Sequence, residues 1–341
     1  MAGYSCSACG SFLILESLTC PGCGAVVGFH RQSRAFFTLP DEKASIDIGG
    51  EEFRACSRRS WECNWLVGES EQSGRCFSCR LTRRIPPSDD TLALEKLADT
   101  AVAKRRLLVQ LFELGLPVTP YDEQEGGLAF DLVSSRSSGE KVMIGHANGV
   151  ITIDLAESLD DHRERLRVQL GEPYRTMLGH LRHEVGHYFQ NVLVTDWDEC
   201  RDLFSDERAS YRDAIARHYR TGAPEGWREN YLSEYATMHP WEDFAECFAH
   251  YLHITGTLGT AARAGLELHA EHAEDVAVSI TPRLSYADAE MQTMLDDWAL
   301  ASLFFNQINR AMGHRPLYPF TISAAVATKL TYIHRLVTGH V

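Results

Sequence analysis

The chain has 341 residues, of which 44% are hydrophobic and 23% charged, a composition typical of a globular protein with room for two or three domains. Its formal net charge of −14 argues against nucleic acid or an anionic membrane surface as the main partner. No apolar stretch approaches the roughly 18 to 20 residues of a membrane span, and the N-terminus lacks the pattern of a secretory signal. We therefore expect a cytoplasmic protein without a membrane partner.

Eight of the ten cysteines lie within the first 79 residues, in two groups of four. The first group consists of two Cys-x-x-Cys pairs, Cys6 with Cys9 and Cys20 with Cys23, and a glycine follows each pair. This spacing is typical of a zinc ribbon, in which four thiolates hold a structural Zn²⁺ in tetrahedral geometry. The first group therefore predicts a structural zinc site.

The second group, Cys56, Cys63, Cys76 and Cys79, has a looser spacing in its first half. Four thiolates can also hold iron or an iron–sulfur cluster, but two small ribbon-like sites favour zinc. A region of about 80 residues with few long hydrophobic patterns builds a core with difficulty, so metal binding would supply folding energy. The simplest prediction is that both zinc sites are structural.

The charge of the cysteine-rich region indicates whether it could bind nucleic acid. Residues 1–85 carry ten basic and nine acidic side chains, and thiolates bound to zinc add further negative charge. This balance gives no support for nucleic-acid binding. Docking of another protein through the ribbons is the functional alternative to a purely structural role.

Residues 86–90, two prolines followed by polar turn formers, predict a linker between a zinc-ribbon region at 1–85 and a second domain at 91–341. A helix is expected over 91–114, and three short strand-like runs at 128–133, 141–145 and 150–155 predict a small sheet. Most of the chain beyond residue 157 is expected to be helical, in segments at Arg163–Leu170, Tyr174–Leu193, Asp206–Tyr219, Pro240–Ile254, Tyr286–Met312 and Ala324–Val337. The predicted fold class is α+β: a small, metal-stabilised β region with two ribbons, then a mainly helical domain with a small sheet.

The segment His183-Glu184-Val185-Gly186-His187 carries the most specific chemistry in the chain. Positions i and i+4 of a helix lie on the same face, so both imidazoles can bind one Zn²⁺ while Glu184 lies beside the remaining coordination position. The alternative is a helix with two solvated histidines. Apolar residues recur around the motif at helical spacing, which predicts a buried helix whose histidines need a partner.

A third protein ligand must come from elsewhere, because a catalytic zinc takes three and keeps one position for water. No third histidine follows His187 at the spacing used by metzincins, so an acidic residue on a later helix is expected. The helix beginning at Pro240 places Glu242, Glu246 and His250 on one stripe, with Asp243 beside it. On the residues alone Glu242, Asp243 and Glu246 all remain possible ligands, and His250 or His253 are weaker alternatives.

The HExxH motif with a distant Glu-x-x-x-acidic helix resembles the gluzincin metallopeptidases, and the stretch from Tyr235 to Glu246 looks like their lethal-factor-type branch. That resemblance implies Glu242 as the zinc ligand, Tyr235 as the transition-state stabiliser and Glu246 as the support of a ligand histidine. The whole chain is most similar to bacterial zinc-binding metallopeptidases with an N-terminal zinc ribbon. The segments that carry this resemblance are the first Cys-x-x-Cys pair, Cys63-Asn64-Trp65-Leu66-Val67, Gly171-Glu172-Pro173-Tyr174-Arg175-Thr176 and Arg182-His183-Glu184-Val185-Gly186-His187-Tyr188.

The resemblance implies a zincin-like metallopeptidase domain with one catalytic and two structural zinc ions, acting on a peptide or protein substrate. Glu184 would act as the general base that activates water for attack on the scissile carbonyl. The strand at 150–154 is a candidate edge for pairing with an extended substrate. An isopeptidase or amidohydrolase would use the same site, and a non-catalytic, zinc-stabilised binding scaffold is the alternative without chemistry.

Overall fold

The computed structural model describes residues 3–139, 142–156, 176–270 and 279–339. The chain forms two compact units, one of residues 1–113 with 117–159 and the other of residues 114–116 with 160–341. Compact units and functional domains need not coincide. The division into a ribbon region at 1–85, a linker and a domain at 91–341 therefore stays a prediction.

Short antiparallel strands build the cysteine-rich part of the first unit. They pair as β1 with β2, β3 with β4, and β5 with β6 and β7, and each pairing is antiparallel. The buried ring of Phe29 lies at the centre, with ring centroids of Tyr4, Phe36 and Trp65 at 5.5, 5.5 and 5.6 Å. The strands are β1 (Tyr4–Ser5), β2 (Phe12–Leu13), β3 (Val26–His30), β4 (Ala35–Leu39), β5 (Ser45–Ile48), β6 (Glu51–Ala55) and β7 (Leu66–Gly68).

A four-stranded mixed sheet completes the first unit, in the order β10-β11-β9-β8. Strand β11 pairs in parallel with β9 and antiparallel with β10, and β8 pairs in parallel with β9. A long helix, α2, supplies buried apolar side chains such as Leu97 and Leu107. These elements are α1 (Phe77–Arg80), β8 (Thr82–Arg84), α2 (Thr91–Glu113), β9 (Ala129–Val133), α3 (Ser135–Ser138), β10 (Gly145–Ala147) and β11 (Val150–Asp154).

The sheet differs from the sequence-based prediction at two strands. The strand β11 (150–154) is expected to be a sheet edge for a substrate, but β9 pairs with it along one side and β10 pairs with residues 150–152 on the other, so it is an interior strand. The second predicted strand was placed at 141–145, whereas β10 begins only at Gly145. Residue 141 lies outside the described part of the chain.

The described part of the second unit is mainly helical and contains an antiparallel pair of short strands, which confirms the predicted class of this part. The predicted helix at 163–170 and residues 171–175 lie outside the described residues. The helix α5 had no counterpart in the prediction. The elements are α4 (Met177–Leu193), α5 (Trp197–Phe204), α6 (Tyr211–Thr221), α7 (Pro240–Arg263), β12 (Leu268–His269), β13 (Ser279–Ile280), α8 (Met291–Ala311) and α9 (Ala324–Thr338).

Helices α4 and α7 pack closely, and this contact organises the second unit. A Cβ added to Gly186 of α4 would lie 2.8 Å from the Cα of Ala245 on α7, so the glycine permits the approach. The rings of Phe189 and Phe248 stack at 5.3 Å beside this crossing. Since Gly186 lies between the two histidines of the motif, the crossing brings α7 to the face that carries them. Within the described residues, no helix is both long and apolar enough to cross a membrane.

Candidate metal centres

The helix α4 carries the HExxH motif on one face. Thr176 caps the helix, its hydroxyl accepting a hydrogen bond from the amide of Gly179 at 3.0 Å. The rings of His183 and His187 are 4.9 Å apart, as expected for residues one turn apart. Buried apolar side chains, among them Val185, hold the opposite face of the helix against the core.

The carboxylate of Glu242 on α7 meets both imidazoles. Its Oε2 lies 2.9 Å from Nε2 of His183 and 3.5 Å from Nε2 of His187. Ligand atoms around a tetrahedral zinc ion lie about 3.4 Å apart, since Zn–N and Zn–O distances are about 2.1 Å. The three side chains therefore fit a zinc ion in the spacing of their ligand atoms, and they form a cluster that could hold a metal.

A second carboxylate of helix α7, that of Glu246, contacts His183. Its Nδ1 lies 2.8 Å from Oε1 of Glu246, whose Oε2 accepts a 2.7 Å hydrogen bond from the hydroxyl of Ser233. A proton on Nδ1 leaves the lone pair of Nε2 for a metal, which is the usual arrangement of a ligand histidine. Burial opposes a charged imidazole, but the hydrogen bonds and charges of Glu242 and Glu246 raise the pKa of His183 well above its usual value. The two carboxylates thus favour positive charge at this position.

Glu184 is a buried carboxylate with one unpaired oxygen. Its Oε1 lies 3.1 Å from Nε2 of His180, while Oε2 is buried and has no hydrogen-bond partner among the described residues. Burial would raise the pKa of Glu184, but the hydrogen bond from His180 and the nearby histidine charges lower it overall. A buried carboxylate oxygen without a partner is costly, and such atoms mark places where a water, ion or substrate binds.

Tyr235, predicted from the resemblance to face the metal, lies on a short 3₁₀ helix at 235–237. Its ring centroid is 5.7 Å from that of His183, so the structure brings it to the edge of the cluster. A second tyrosine was not predicted. The hydroxyl of Tyr211, at the start of α6, donates a 2.7 Å hydrogen bond to Oε1 of Glu242. Nothing in the local sequence indicates this contact, since the two residues are 31 positions apart.

Of the rival ligands, Glu246 contacts the other ring nitrogen of His183, and Asp243, His250 and His253 are engaged elsewhere. The Oδ2 of Asp243 lies 2.6 Å from Nζ of Lys329. Burial raises the pKa of Asp243 to about 7, and Lys329 limits the rise. His250 is buried and its Nδ1 lies 2.6 Å from the hydroxyl of Tyr318, while Nδ1 of His253 lies 2.7 Å from Nη1 of Arg182. The assignment of roles to residues of this site stays a prediction, but the geometry favours Glu242 over these alternatives.

The first cysteine group comes together around one point. The Sγ atoms of Cys6 and Cys23 are 3.9 Å apart and those of Cys9 and Cys20 are 3.5 Å apart. Sulfurs around a tetrahedral zinc ion lie about 3.8 Å apart, whereas a disulfide bond is only about 2.05 Å long. All four cysteines are free, which fits a zinc site of four thiolates, although Cys9 and Cys23 are exposed.

The second group forms a fully buried cluster. The Sγ of Cys63 lies 3.5 Å from that of Cys76 and 3.7 Å from that of Cys79, and the amide of Cys76 donates to Sγ of Cys56 at 3.3 Å. These separations again fit a tetrahedral zinc ion. The buried ammonium of Lys104 donates to the Ser78 carbonyl, within the Cys76–Cys79 segment, at 2.7 Å. Burial lowers the pKa of Lys104 to about 8, although the thiolates of this cluster favour its charged form.

Residues 93–336 match the family described as "Putative zinc-binding metallo-peptidase", and residues 3–90 match the family described as a zinc-ribbon domain. The chain belongs to this zinc-binding metallopeptidase family. Zinc is thus the metal indicated for the clusters, and a zinc-dependent peptidase is the kind of protein that the family description indicates.

Curated relatives align with nearly the whole chain. Uncharacterized proteins of Mycobacterium bovis and of Mycobacterium tuberculosis are 42% identical over 342 residues, which cover 99% of this chain and 95% of each relative. The alignment therefore spans both the cysteine-rich region and the helical part of this chain. No solved structure matches the chain.

Proposed function

We propose that this protein hydrolyses peptide bonds with a zinc ion held by His183, His187 and Glu242 and with Glu184 as the general base. The main support is the convergence of three ligand atoms within zinc-binding distances, next to a buried carboxylate oxygen of Glu184 that has no partner among the described residues. A purely structural zinc site would not need that carboxylate. This observation favours hydrolysis over a scaffold role.

Each side chain of the site would have a separate role in hydrolysis. When bound, zinc would lower the pKa of a water molecule and polarise the scissile carbonyl. Glu184 would accept the proton of that water at Oε2 and pass it to the leaving nitrogen, with His180 holding its other oxygen. The hydroxyl of Tyr235 would donate a hydrogen bond to the carbonyl oxygen as it gains negative charge. Glu246, fixed by Ser233, would keep His183 in the orientation that presents Nε2.

The two cysteine clusters would each hold a structural zinc ion, which gives three zinc ions per chain. These two assignments are supported by the distances between the sulfur atoms, which suit zinc and are longer than a disulfide bond. Cysteines without disulfide bonds in such number suit a reducing compartment, so we infer a cytoplasmic location. In this proposal residues 1–85 form the ribbon region and residues 91–341 the peptidase domain.

Glu184→Gln tests the proposal, because glutamine keeps the shape of the side chain but cannot act as a base. We expect wild type and variant each to bind close to three zinc ions, and only wild type to cleave members of a proteome-derived peptide library. Glu229→Gln, at an exposed residue, is the matched control and should cleave as wild type does. Identical cleavage profiles of wild type and Glu184→Gln would reject the proposal. A library that contains branched, isopeptide-linked peptides would separate peptidase from isopeptidase activity.

A further inference from the structure

The two oxygens of the Glu242 carboxylate have different partners. Oε2 faces Nε2 of His183 and His187 at 2.9 and 3.5 Å, whereas Oε1 accepts the 2.7 Å hydrogen bond from the hydroxyl of Tyr211. Glu242 is almost fully buried, so few other donors can reach Oε1. The tyrosine therefore defines which oxygen points toward the metal-binding cluster.

A buried histidine holds Tyr211 in this position. His239 caps α7, and its Nδ1 accepts a hydrogen bond from the amide of Trp241 at 3.2 Å. With Nδ1 used as an acceptor, Nε2 carries the proton and donates to the carbonyl of Ala209 at 3.0 Å. Ala209 lies two residues before Tyr211, so His239 ties the chain that enters α6 to the start of α7. The ring of Tyr211 packs edge-on against His239, with centroids 5.2 Å apart.

Tyr211 also contacts the other tyrosine of the site. The side chain of Tyr235 interacts with that of Tyr211, and its ring centroid lies 5.7 Å from that of His183. Tyr211 thus contacts Glu242 through its hydroxyl and also lies beside Tyr235.

We propose that Tyr211 is a positioning residue that restricts Glu242 to binding the metal through Oε2 alone. A carboxylate that binds through both oxygens would occupy the coordination position that a catalytic zinc keeps for water. Partners of metal ligands typically contribute ten- to hundredfold in metal affinity or activity. This inference rests on the proposed function, because it requires that the cluster bind zinc.

Tyr211→Phe tests the inference because it removes only the hydroxyl group. The matched control is Tyr219→Phe on the same helix, where the ring is 65% exposed. A mild chelator would empty the His–Glu site while the cysteine sites keep zinc, and Zn²⁺ or Co²⁺ would then be added back. We expect Tyr211→Phe to bind zinc about ten- to hundredfold more weakly. Its Co²⁺ form should absorb more weakly in the visible range, as a five-coordinate ion does, and the control should match wild type in both measurements.

A double-mutant comparison shows whether Tyr211 acts through Glu242. In a Glu242→Gln background, Tyr211→Phe should cause no further loss of affinity, and circular dichroism would verify that each variant folds. Wild-type affinity and an unchanged Co²⁺ spectrum in folded Tyr211→Phe would overturn the inference, as would an equal loss in both backgrounds. A wild-type protein that binds no third metal would overturn the inference and the proposed function together. Binding without any peptide hydrolysis would reject the proposed function alone, since the effect of Tyr211 on affinity and spectrum would persist.

Discussion

Gly186 on α4 and Ala245 on α7 lie so close that a Cβ on Gly186 would be 2.8 Å from the Cα of Ala245. The two nearest atoms in the way belong to the backbone of Ala245, so a side chain at 186 can be accommodated only if the helices separate. We expect Gly186→Ala to destabilise the protein by about 1–3 kcal/mol, the usual cost of overpacking. It should also weaken zinc binding at the His–Glu site, because α4 carries His183 and His187 while α7 carries Glu242. Denaturant unfolding and a metal titration would measure the two effects.

A second helical glycine supplies the control for that prediction. A Cβ on Gly259 of α7 would have its nearest neighbours at 3.5 and 3.7 Å, which is ordinary van der Waals contact. Because alanine favours a helix over glycine by about 1 kcal/mol, Gly259→Ala should leave stability unchanged or increase it. Equal destabilisation by the two substitutions would show that the close approach at Gly186 is not the cause.

The buried ion pair between Asp243 and Lys329 yields a prediction about stability. Lys329→Met would leave the Asp243 carboxyl buried without its cation, at a cost of about 3–5 kcal/mol. Adding Asp243→Leu should recover most of that loss, since an apolar pair replaces a buried ion pair with little net change. The control is Lys96→Met, which removes a surface pair with Asp99 and should cost less than about 1 kcal/mol. Urea unfolding of the four proteins measures this, and a double variant no more stable than Lys329→Met would contradict it.

The residues whose chemistry depends on local spacing were predictable, and those set by tertiary packing were not. His183, Glu184 and His187 follow from the helical period, and the cysteine pairs follow from their separation along the chain. Tyr211 became visible only in the structure, because its contact with Glu242 is created by the packing of α6 beside the start of α7.

The four-stranded sheet, too, could be predicted only in part from the sequence. The apolar pattern of β11 predicted a strand, but an edge strand and an interior strand can have the same pattern. Only the pairing with β9 and β10 in the structure shows that β11 is an interior strand. The three-residue strand β8 was missed because it is too short to show a period and exists through its parallel pairing with β9.

His180 offers a prediction about the proposed base. Its Nε2 lies 3.1 Å from Oε1 of Glu184, and its side chain is 37% exposed, so replacing it should not disturb the core. We expect His180→Leu to reduce kcat on a peptide found by the library screen by on the order of tenfold, as loss of an orienting partner does. Zinc content should stay unchanged, and His180→Gln, which can still donate to Glu184, should retain more activity. A leucine variant with wild-type kcat would show that Glu184 needs no such partner.

The two cysteine clusters should differ in how readily they release zinc. Two of the four thiols of the first cluster, Cys9 and Cys23, are exposed, whereas all four of the second are buried. Solvent and chelators reach exposed thiolates more easily, so zinc should leave the first cluster faster. A chromogenic zinc chelator would follow the release in a His187→Ala background, which removes the third site.

Two kinetic phases of equal size are expected in that experiment. Cys9→Ser should abolish the fast phase and Cys76→Ser the slow one. A single phase that both variants reduce equally would contradict the difference in exposure. The second cluster has the looser spacing in sequence, so slower release there would mean that burial, and not the regularity of the Cys-x-x-Cys spacing, governs how firmly these sites hold zinc.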